Sequence, residues 1–176
     1  MINIKTQNLW KNWIKVTQDR CHLNFELEEN DLYQHINLCL KASSKTANRI
    51  SNDIKTKPKI ILDIGSSVGF NSIGVADKYK NSIIFGIEPD EDACQISKAM
   101  SKDLNKRNIH IINGVGEKLP FSDNFFDLII SHTVIEHVKN VEHCIDEIAR
   151  VLKPKGILHI EAPNYIWPWE PHLGII

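Results

Sequence analysis

With 176 residues, the chain is long enough for a single domain that buries a full hydrophobic core. Hydrophobic residues make up 42% of it, charged residues 24%, and the net charge is -1, which predicts no general attraction to nucleic acid or anionic membranes. The N-terminus lacks an apolar signal core and no apolar run is long enough to span a bilayer. The four cysteines are far apart, which favours free thiols, and we expect a soluble cytoplasmic protein.

Residues 1–57 have the apolar periodicity of helices and are predicted to form an N-terminal helical extension. Spacings of three and four define two apolar faces, one with Leu9, Trp10, Trp13, Ile14 and Val16, the other with Leu32, Tyr33, Ile36, Leu40, Ala47 and Ile50. Asn30 or Asp31 is the predicted N-cap of the second helix. His35 and Cys39 have the spacing of two metal ligands, but a pair without further ligands is more typical of a helix face.

From Lys59 the pattern changes to strands alternating with helices. A buried strand, Ile60–Ile64, runs into the turn Asp63-Ile64-Gly65-Ser66-Ser67-Val68-Gly69. An acid and two glycines at the carboxyl end of a parallel strand lie where open α/β sheets bind ligands. By itself, this pattern fits a structural strand-to-helix turn equally well.

The rest of the chain continues the alternation. A strand at 83–87 is followed by a helix capped by Asp90, a strand at 109–113 and a loop at 114–124. A fourth strand is predicted at 126–131, and the helix after it has Val141, Ile145, Ile148 and Val151 or Leu152 on one face. A break at 153–156 ends this helix, and a fifth strand is predicted at 157–162. This order predicts a doubly wound α/β fold with a mostly parallel, Rossmann-like sheet of about five strands.

Glu88 closes the second strand, nineteen residues after Gly69, where a carboxylate can accept both hydroxyls of a ribose. An adenosine-type ligand is therefore indicated. A nicotinamide-dependent oxidoreductase is disfavoured because the turn lacks the Gly-x-Gly-x-x-Gly spacing, and the Gly-Lys-Ser/Thr of a P-loop is absent.

These segments resemble the class I S-adenosylmethionine (SAM) dependent methyltransferases across most of residues 59–162. The turn from Asp63 to Gly69 matches the acid-x-Gly-x-Gly-x-Gly motif of that family, except for Ser67 at the middle glycine. Glu88 matches the ribose-binding acid, and residues 114–121 with 126–129 are similar to the adenine-side loop and fourth strand, with Val115 where an acid is common. Residues 134–138 and 152–156 are similar to the segments that follow.

The resemblance implies a SAM site in residues 58–176, with S-adenosylhomocysteine (SAH) as product. The implied cofactor-binding residues are Asp63, Gly65, Ser66, Ser67, Gly69, Glu88, Pro89, Gly116, Glu117 and Ser131. The candidate general bases are His132, Glu136, His137 and His172. His137 also fits a helix cap and Glu136 a structural acid. No metal site is predicted, since the sequence lacks a full set of ligands.

The aromatic, proline-rich segment 164–172 fits either an acceptor pocket or an irregular packed segment. The family usually ends in two further strands, so we expect this chain to be a fragment or a truncated form, with its fifth strand covered by a missing segment or another subunit.

The predicted reaction is methyl transfer to an oxygen, nitrogen or carbon of a small metabolite, sugar or lipid, without a nucleic-acid or membrane partner. The alternative, suggested by Ser67, Val115 and the missing strands, is a degenerate methyltransferase fold that acts as a binding or scaffold module.

Overall fold

A computed structural model of the protein describes residues 2–21 and 29–163. Its helices are α1 (Ile4–Cys21), α2 (Glu29–Ile54), α3 (Phe70–Lys78), α4 (Glu91–Asp103) and α5 (Val141–Val151). Its strands are β1 (Ile60–Ile64), β2 (Ile83–Glu88), β3 (Ile109–Asn113), β4 (Phe126–His132) and β5 (Leu152–Glu161). Every helix in these two ranges is too short or too polar to cross a membrane.

The five strands form one parallel sheet in the order β3-β2-β1-β4-β5. The chain enters at the central strand β1, proceeds through β2 to β3 on one side, and then crosses to β4 on the other. Asp63 of β1 is paired with Gly86 of β2 and with Ile130 of β4, so the strand order reverses at β1. The predicted doubly wound, Rossmann-like α/β fold is confirmed, and its ligand crevice is expected at the carboxyl end of β1.

Apolar runs place the central strands β1, β2 and β4 in the interior, as the sequence predicts. Ile61, Leu62 and Ile64 of β1 are almost completely buried, as are Leu128, Ile129 and Ile130 of β4. Helices cover both faces of the sheet, which is the arrangement that buries a parallel sheet without alternating polar residues. One core cluster joins α2, α3 and the sheet, and another joins α5, the 114–124 loop and the sheet.

The N-terminal helices pack on the face that carries α3 and α4. Ala47 and Ile50 of α2 share a core cluster with Val75 of α3, whereas Trp10 of α1 is buried in a cluster that includes Met100 of α4. Gly74 permits the close approach of α3 to α2, because a Cβ there would lie 2.5 Å from the Ser43 carbonyl oxygen. Within the two predicted apolar faces, Leu9, Val16 and Tyr33 are exposed, since they lie at the margins of the buried stripes.

Two details at the end of the described chain differ from the prediction. β5 begins at Leu152, which is paired with Phe126, and the chain then bulges before Ile157 pairs with Leu128. The buried side of α5 is formed by Cys144, Ile148 and Val151, whereas the predicted face members Val141 and Ile145 are 48% and 39% exposed. The helix is rotated so that Cys144 faces the sheet. The apolar pattern alone, with its five predicted face residues, does not specify this rotation.

Candidate functional site

A cavity of about 650 Å³ lies at the carboxyl ends of β1, β2 and β4. This is the place at which the strand order reverses and ligands bind in open α/β sheets. Seven of the residues predicted from the sequence line it, namely Gly65, Ser67, Glu88, Pro89, Gly116, Glu117 and His137. Apolar side chains, including Ile64, Val134 and Val138, form much of the remaining wall.

The turn after β1 is held against the end of β2. The backbone N–H groups of Gly65 and Ser66 both donate to the Ile87 carbonyl oxygen, at 2.9 and 3.1 Å. Gly65 has a φ of 67°, and a Cβ on it would collide with the side chain of Val134. A glycine is therefore required here both for the left-handed backbone and for the close approach of the chain.

Ser67 occupies the cavity side of this turn. Its φ is 48°, which is a left-handed conformation that glycine adopts without strain and serine does not. Its backbone N–H donates to Glu88 Oε2 at 2.8 Å. The turn thus keeps its conformation with serine in place of the middle glycine, at the expense of backbone strain.

Glu88 ends β2 with its carboxylate at the cavity wall, and the residue is only 8% exposed. Oε2 accepts the Ser67 N–H, and Oε1 accepts the Asp90 N–H at 3.0 Å. Each carboxylate oxygen can accept more than one hydrogen bond, so both oxygens retain capacity for a ligand hydroxyl. The two backbone donors fix the direction in which the remaining lone pairs point.

Four of the predicted cofactor-binding residues lie behind the cavity wall rather than in it. They are Asp63, Ser66, Gly69 and Ser131. Gly69 is the N-cap of α3, with a φ of 91°. The hydroxyl oxygens of Ser66 and Ser131 are buried without a hydrogen-bond partner among the described residues.

Asp63 is a buried carboxyl group beneath the turn, 2% exposed, and it accepts a hydrogen bond from Ser72 Oγ at 2.6 Å. Burial raises its pKa to about 7; the hydrogen bond from Ser72 opposes this shift, and the nearby charge of Glu88 adds to it. Asp63 therefore links the end of β1 to α3 and titrates near neutral pH.

The loop between β3 and β4 forms the opposite wall. Gly116 is buried against α5, where a Cβ would lie 2.8 Å from Cys144 Sγ. Glu117 Oε1 accepts the Lys139 N–H at 2.7 Å and so links this loop to the segment before α5. Val115, which stands where the family often has an acid, is 43% exposed and lines the cavity.

Arg150 and Glu147 of α5 hold this loop in place and were not identified from the sequence. Arg150 donates to the carbonyl oxygens of Phe121 and Leu119 at 2.7 and 3.0 Å. Glu147 Oε2 accepts the Leu119 N–H at 2.7 Å, and its carboxylate also pairs with Arg150. The i,i+3 spacing of Glu147 and Arg150 is the one signal that the sequence offers, and it does not reveal their partners in the loop.

Of the four candidate bases, only His137 lines the cavity in the part of the chain that the structure describes. Glu136 has a buried Oε2 without a described partner. His132 lies at the end of β4, where its Nε2 is 2.8 Å from His159 Nδ1; burial lowers its pKa more than neighbouring Glu161 raises it. His172, like the whole 164–172 segment, lies outside the described residues.

Between residues 2–21 and 29–163, three or more His, Cys, Asp or Glu side chains do not come together in an arrangement that could hold a metal ion. His35 Nε2 and Cys39 Sγ, the pair with ligand-like spacing, lie 3.5 Å apart on α2. At that separation the two groups are hydrogen-bonding neighbours on one helix face.

Comparison with known proteins gives a consistent result. Residues 62–160, more than half of the chain, match the family described as "Methyltransferase domain". The chain is 27% identical over 96 residues to the uncharacterized methyltransferase YcgJ of Bacillus subtilis, covering 54% of this chain and 37% of that protein. It is 34% identical over 106 residues to norajmaline N-methyltransferase of Rauvolfia serpentina, covering 60% and 36%. The chain thus spans about a third of the length of these curated relatives.

Solved structures share the fold. A SAM-dependent methyltransferase from Aquifex aeolicus superimposes with a TM-score of 0.60 at 19% identity, covering 65% of this chain and 62% of that one. Coclaurine N-methyltransferase, solved with N-methylheliamine and SAH, gives a TM-score of 0.63 at 20% identity, covering 69% and 35%. With its motifs in order on this sheet and more than half of its length matched, the chain belongs to the class I SAM-dependent methyltransferase family.

Proposed function

We propose that this chain binds SAM in the cavity at the carboxyl ends of β1, β2 and β4 and supports methyl transfer to an oxygen, nitrogen or carbon of a small metabolite, sugar or lipid. The observation that carries the proposal is the position of Glu88. Its carboxylate forms part of the cavity wall. Each carboxylate oxygen accepts one backbone N–H and retains a lone pair that can accept a further hydrogen bond. A ribose presents two adjacent hydroxyls that match these two oxygens.

The rest of the cavity also fits the cofactor. Pro89, Val115 and Gly116 provide an apolar surface for the adenine, next to Glu88. Gly65 and Ser67 line the side on which the methionine portion would lie, and the glycine lets the backbone approach closely. Asp63, Ser66, Gly69 and Ser131 would act indirectly, by holding the β1 and β4 ends in place.

Bound SAM would supply an activated methyl group and a neutral thioether leaving group. The protein then needs to align the acceptor in line with that group, exclude water and, for an oxygen or nitrogen acceptor, receive a proton. Alignment alone contributes as much as about 7–11 kcal/mol in well-oriented reactions. His137 lies on the cavity wall and is our candidate for the proton acceptor, with Nδ1 or Nε2 as the receiving atom.

The relatives' names leave the acceptor open. One matched protein is an N-methyltransferase of norajmaline, and another, from Coxiella burnetii, is an O-methyltransferase of malonyl-[acyl-carrier protein]. Because these acceptors differ in both atom and size, we propose the reaction class for this chain without a single substrate.

Isothermal titration of the folded chain with SAM and with SAH tests the proposal. We expect one site for each ligand, and Glu88→Ala should lose about 1–3 kcal/mol of binding free energy, because the ribose hydroxyls would be left without their acceptor. Glu91→Ala, an exposed acid in the first turn of α4, is the matched control. If the folded protein binds neither ligand, the cofactor assignment is wrong; if Glu88→Ala binds SAM as tightly as the wild type, the ribose assignment is wrong.

A further inference from the structure

A second cavity, of about 470 Å³, lies at the amino ends of β1, β4 and β5. The proposed SAM site lies at the carboxyl ends of the strands, at the opposite end of the sheet. Two Lys-Pro-Lys segments line it: Lys57-Pro58-Lys59, which leads into β1, and Lys153-Pro154-Lys155, which forms the bulge in β5. They are almost a hundred residues apart in the sequence and come together because β4 lies between β1 and β5. The chain as a whole has a net charge of -1, so this is a local concentration of positive charge.

Asp127, at the start of β4, connects the two segments. Its Oδ2 accepts the backbone N–H groups of Lys59 and Ile60 at 2.8 and 2.9 Å, and its Oδ1 accepts Lys153 Nζ at 2.8 Å. Burial raises the pKa of Asp127, but these hydrogen bonds outweigh it and leave the pKa below its ordinary value. Asp127, the one acid among the described residues that line the cavity, is therefore ionised and is already paired with one of the four lysines.

The other three lysines have no such partner in the part of the chain that the structure describes. Among the described residues, no carboxylate forms an ion pair with Lys57, Lys59 or Lys155. Lys155 also has a φ of 69°, a conformation in which glycine is unstrained and lysine is not. A non-glycine residue in this conformation that adds a third cation to a concave surface is the kind of outlier that motivates a functional hypothesis.

We propose that the cavity between the two Lys-Pro-Lys segments binds a small soluble polyanion that carries two or more phosphate groups. Three unpaired ammonium groups match at least three negative charges, and lysine binds phosphate as a point charge. The prolines restrict the backbone on both sides, so ligand binding would cost little backbone freedom, although the lysine side chains would still lose rotamer freedom. The Thr56 hydroxyl, which also lines the cavity, offers a neutral donor to the same ligand.

Titration of the full chain with inorganic tripolyphosphate, at about 50 mM salt to limit screening, tests the proposal. We expect saturable binding at one site, and the double variant Lys57→Gln/Lys155→Gln should bind at least about tenfold more weakly, a loss of roughly 1.4 kcal/mol. Lys41→Gln/Lys45→Gln removes two exposed lysines from the middle of α2 and is the charge-matched control. Absence of saturable binding, or an equal loss in both double variants, would overturn the proposal.

Two further measurements distinguish a loss of binding from a loss of folding, and this cavity from the proposed SAM site. Lys155→Gly removes the cation and relieves the left-handed strain, so it should bind tripolyphosphate more weakly while melting at a temperature at least as high as that of the wild type. Saturation with SAH should leave tripolyphosphate binding unchanged, because one cavity lies at the carboxyl ends of the strands and the other at their amino ends. Retained affinity in Lys155→Gly, or competition by SAH, would contradict a separate site.

Discussion

At the scale of single residues, the turn after β1 and the strand end that leads into it contain two energetically unfavourable features. Ser67 adopts a left-handed backbone, and Asp63 places a carboxyl group in the interior. Strained backbones and desolvated acids are concentrated at functional sites, because only a surrounding structure that needs them tolerates their cost. Both residues lie at or beneath the methionine side of the proposed SAM site, and each gives a prediction.

Ser67→Gly should stabilise the protein. Glycine removes the steric cost of the left-handed conformation, about 1–2 kcal/mol, and returns part of that gain through greater freedom in the unfolded chain. We expect the free energy of unfolding in urea to rise by roughly 0.5–1 kcal/mol. Ser67→Ala keeps the Cβ and is the control; an equal gain in that variant, or a loss with glycine, would show that strain at position 67 is not the cause.

Asp63 should make stability depend on pH. Its pKa is about 7 in the folded protein and about 3.9 in an unfolded chain, so its favourable contribution is complete below pH ~4 and is lost as the pH rises through ~7. The free energy of unfolding of the wild type relative to Asp63→Asn should therefore fall over this interval, by an amount on the order of 2–4 kcal/mol. Urea unfolding at several pH values measures this difference, with the exposed Asp146→Asn as the control; a difference that does not change with pH would contradict the assignment.

At the scale of secondary-structure elements, the wall of the proposed SAM site depends on how the 114–124 loop is attached to α5. The loop has no strand pairing of its own, and its carbonyl groups at Leu119 and Phe121 are satisfied by the Arg150 guanidinium. Glu147 completes the attachment through the Leu119 N–H. Helix α5 therefore positions the loop that carries Val115, Gly116 and Glu117.

Arg150→Lys should loosen this attachment. A lysine keeps the positive charge but presents three donors on one nitrogen instead of the planar five-donor guanidinium. It therefore cannot reproduce the hydrogen bonds of Arg150 to Phe121, Leu119 and Glu147 in their geometry, and we expect a loss of about 1–3 kcal/mol in the free energy of unfolding. SAM affinity should fall as well, because the loop forms one wall of the cavity. Arg107→Lys, whose described bond is to Asn105 Oδ1, is the matched control. Wild-type stability together with wild-type SAM affinity in Arg150→Lys would contradict the role assigned to α5.

At the scale of the whole molecule, the parallel α/β fold could be predicted because its central strands are largely apolar runs and its strands alternate with helical patterns. The predicted limits of β3 agree with the structure, and those of β2 and β4 differ by one residue. The orientation of α5, the early start of β5 and the contacts of Arg150 and Asp127 could not be predicted. They depend on partners about 26 to 31 residues away, such as Leu119 for Arg150 and Lys153 for Asp127, which local periodicity does not specify.

The N-terminal helices also belong to this scale, because they connect to the proposed site. Trp13 of α1 donates its indole N–H to Asp90 Oδ2 at 2.9 Å, and Asp90 is the N-cap of α4 and donates its own N–H to Glu88. The sequence predicts the helices and the cap separately. Their connection becomes visible only when α1 is packed on α4.

A crystal structure of the chain with SAH bound tests the central claim most directly. We predict SAH in the cavity at the carboxyl ends of β1, β2 and β4, with both ribose hydroxyls donating to the Glu88 carboxylate, the adenine against Pro89 and Val115, and His137 facing the position of the departed methyl group. SAH bound elsewhere, or bound in this cavity without contact between its ribose and Glu88, would contradict the account.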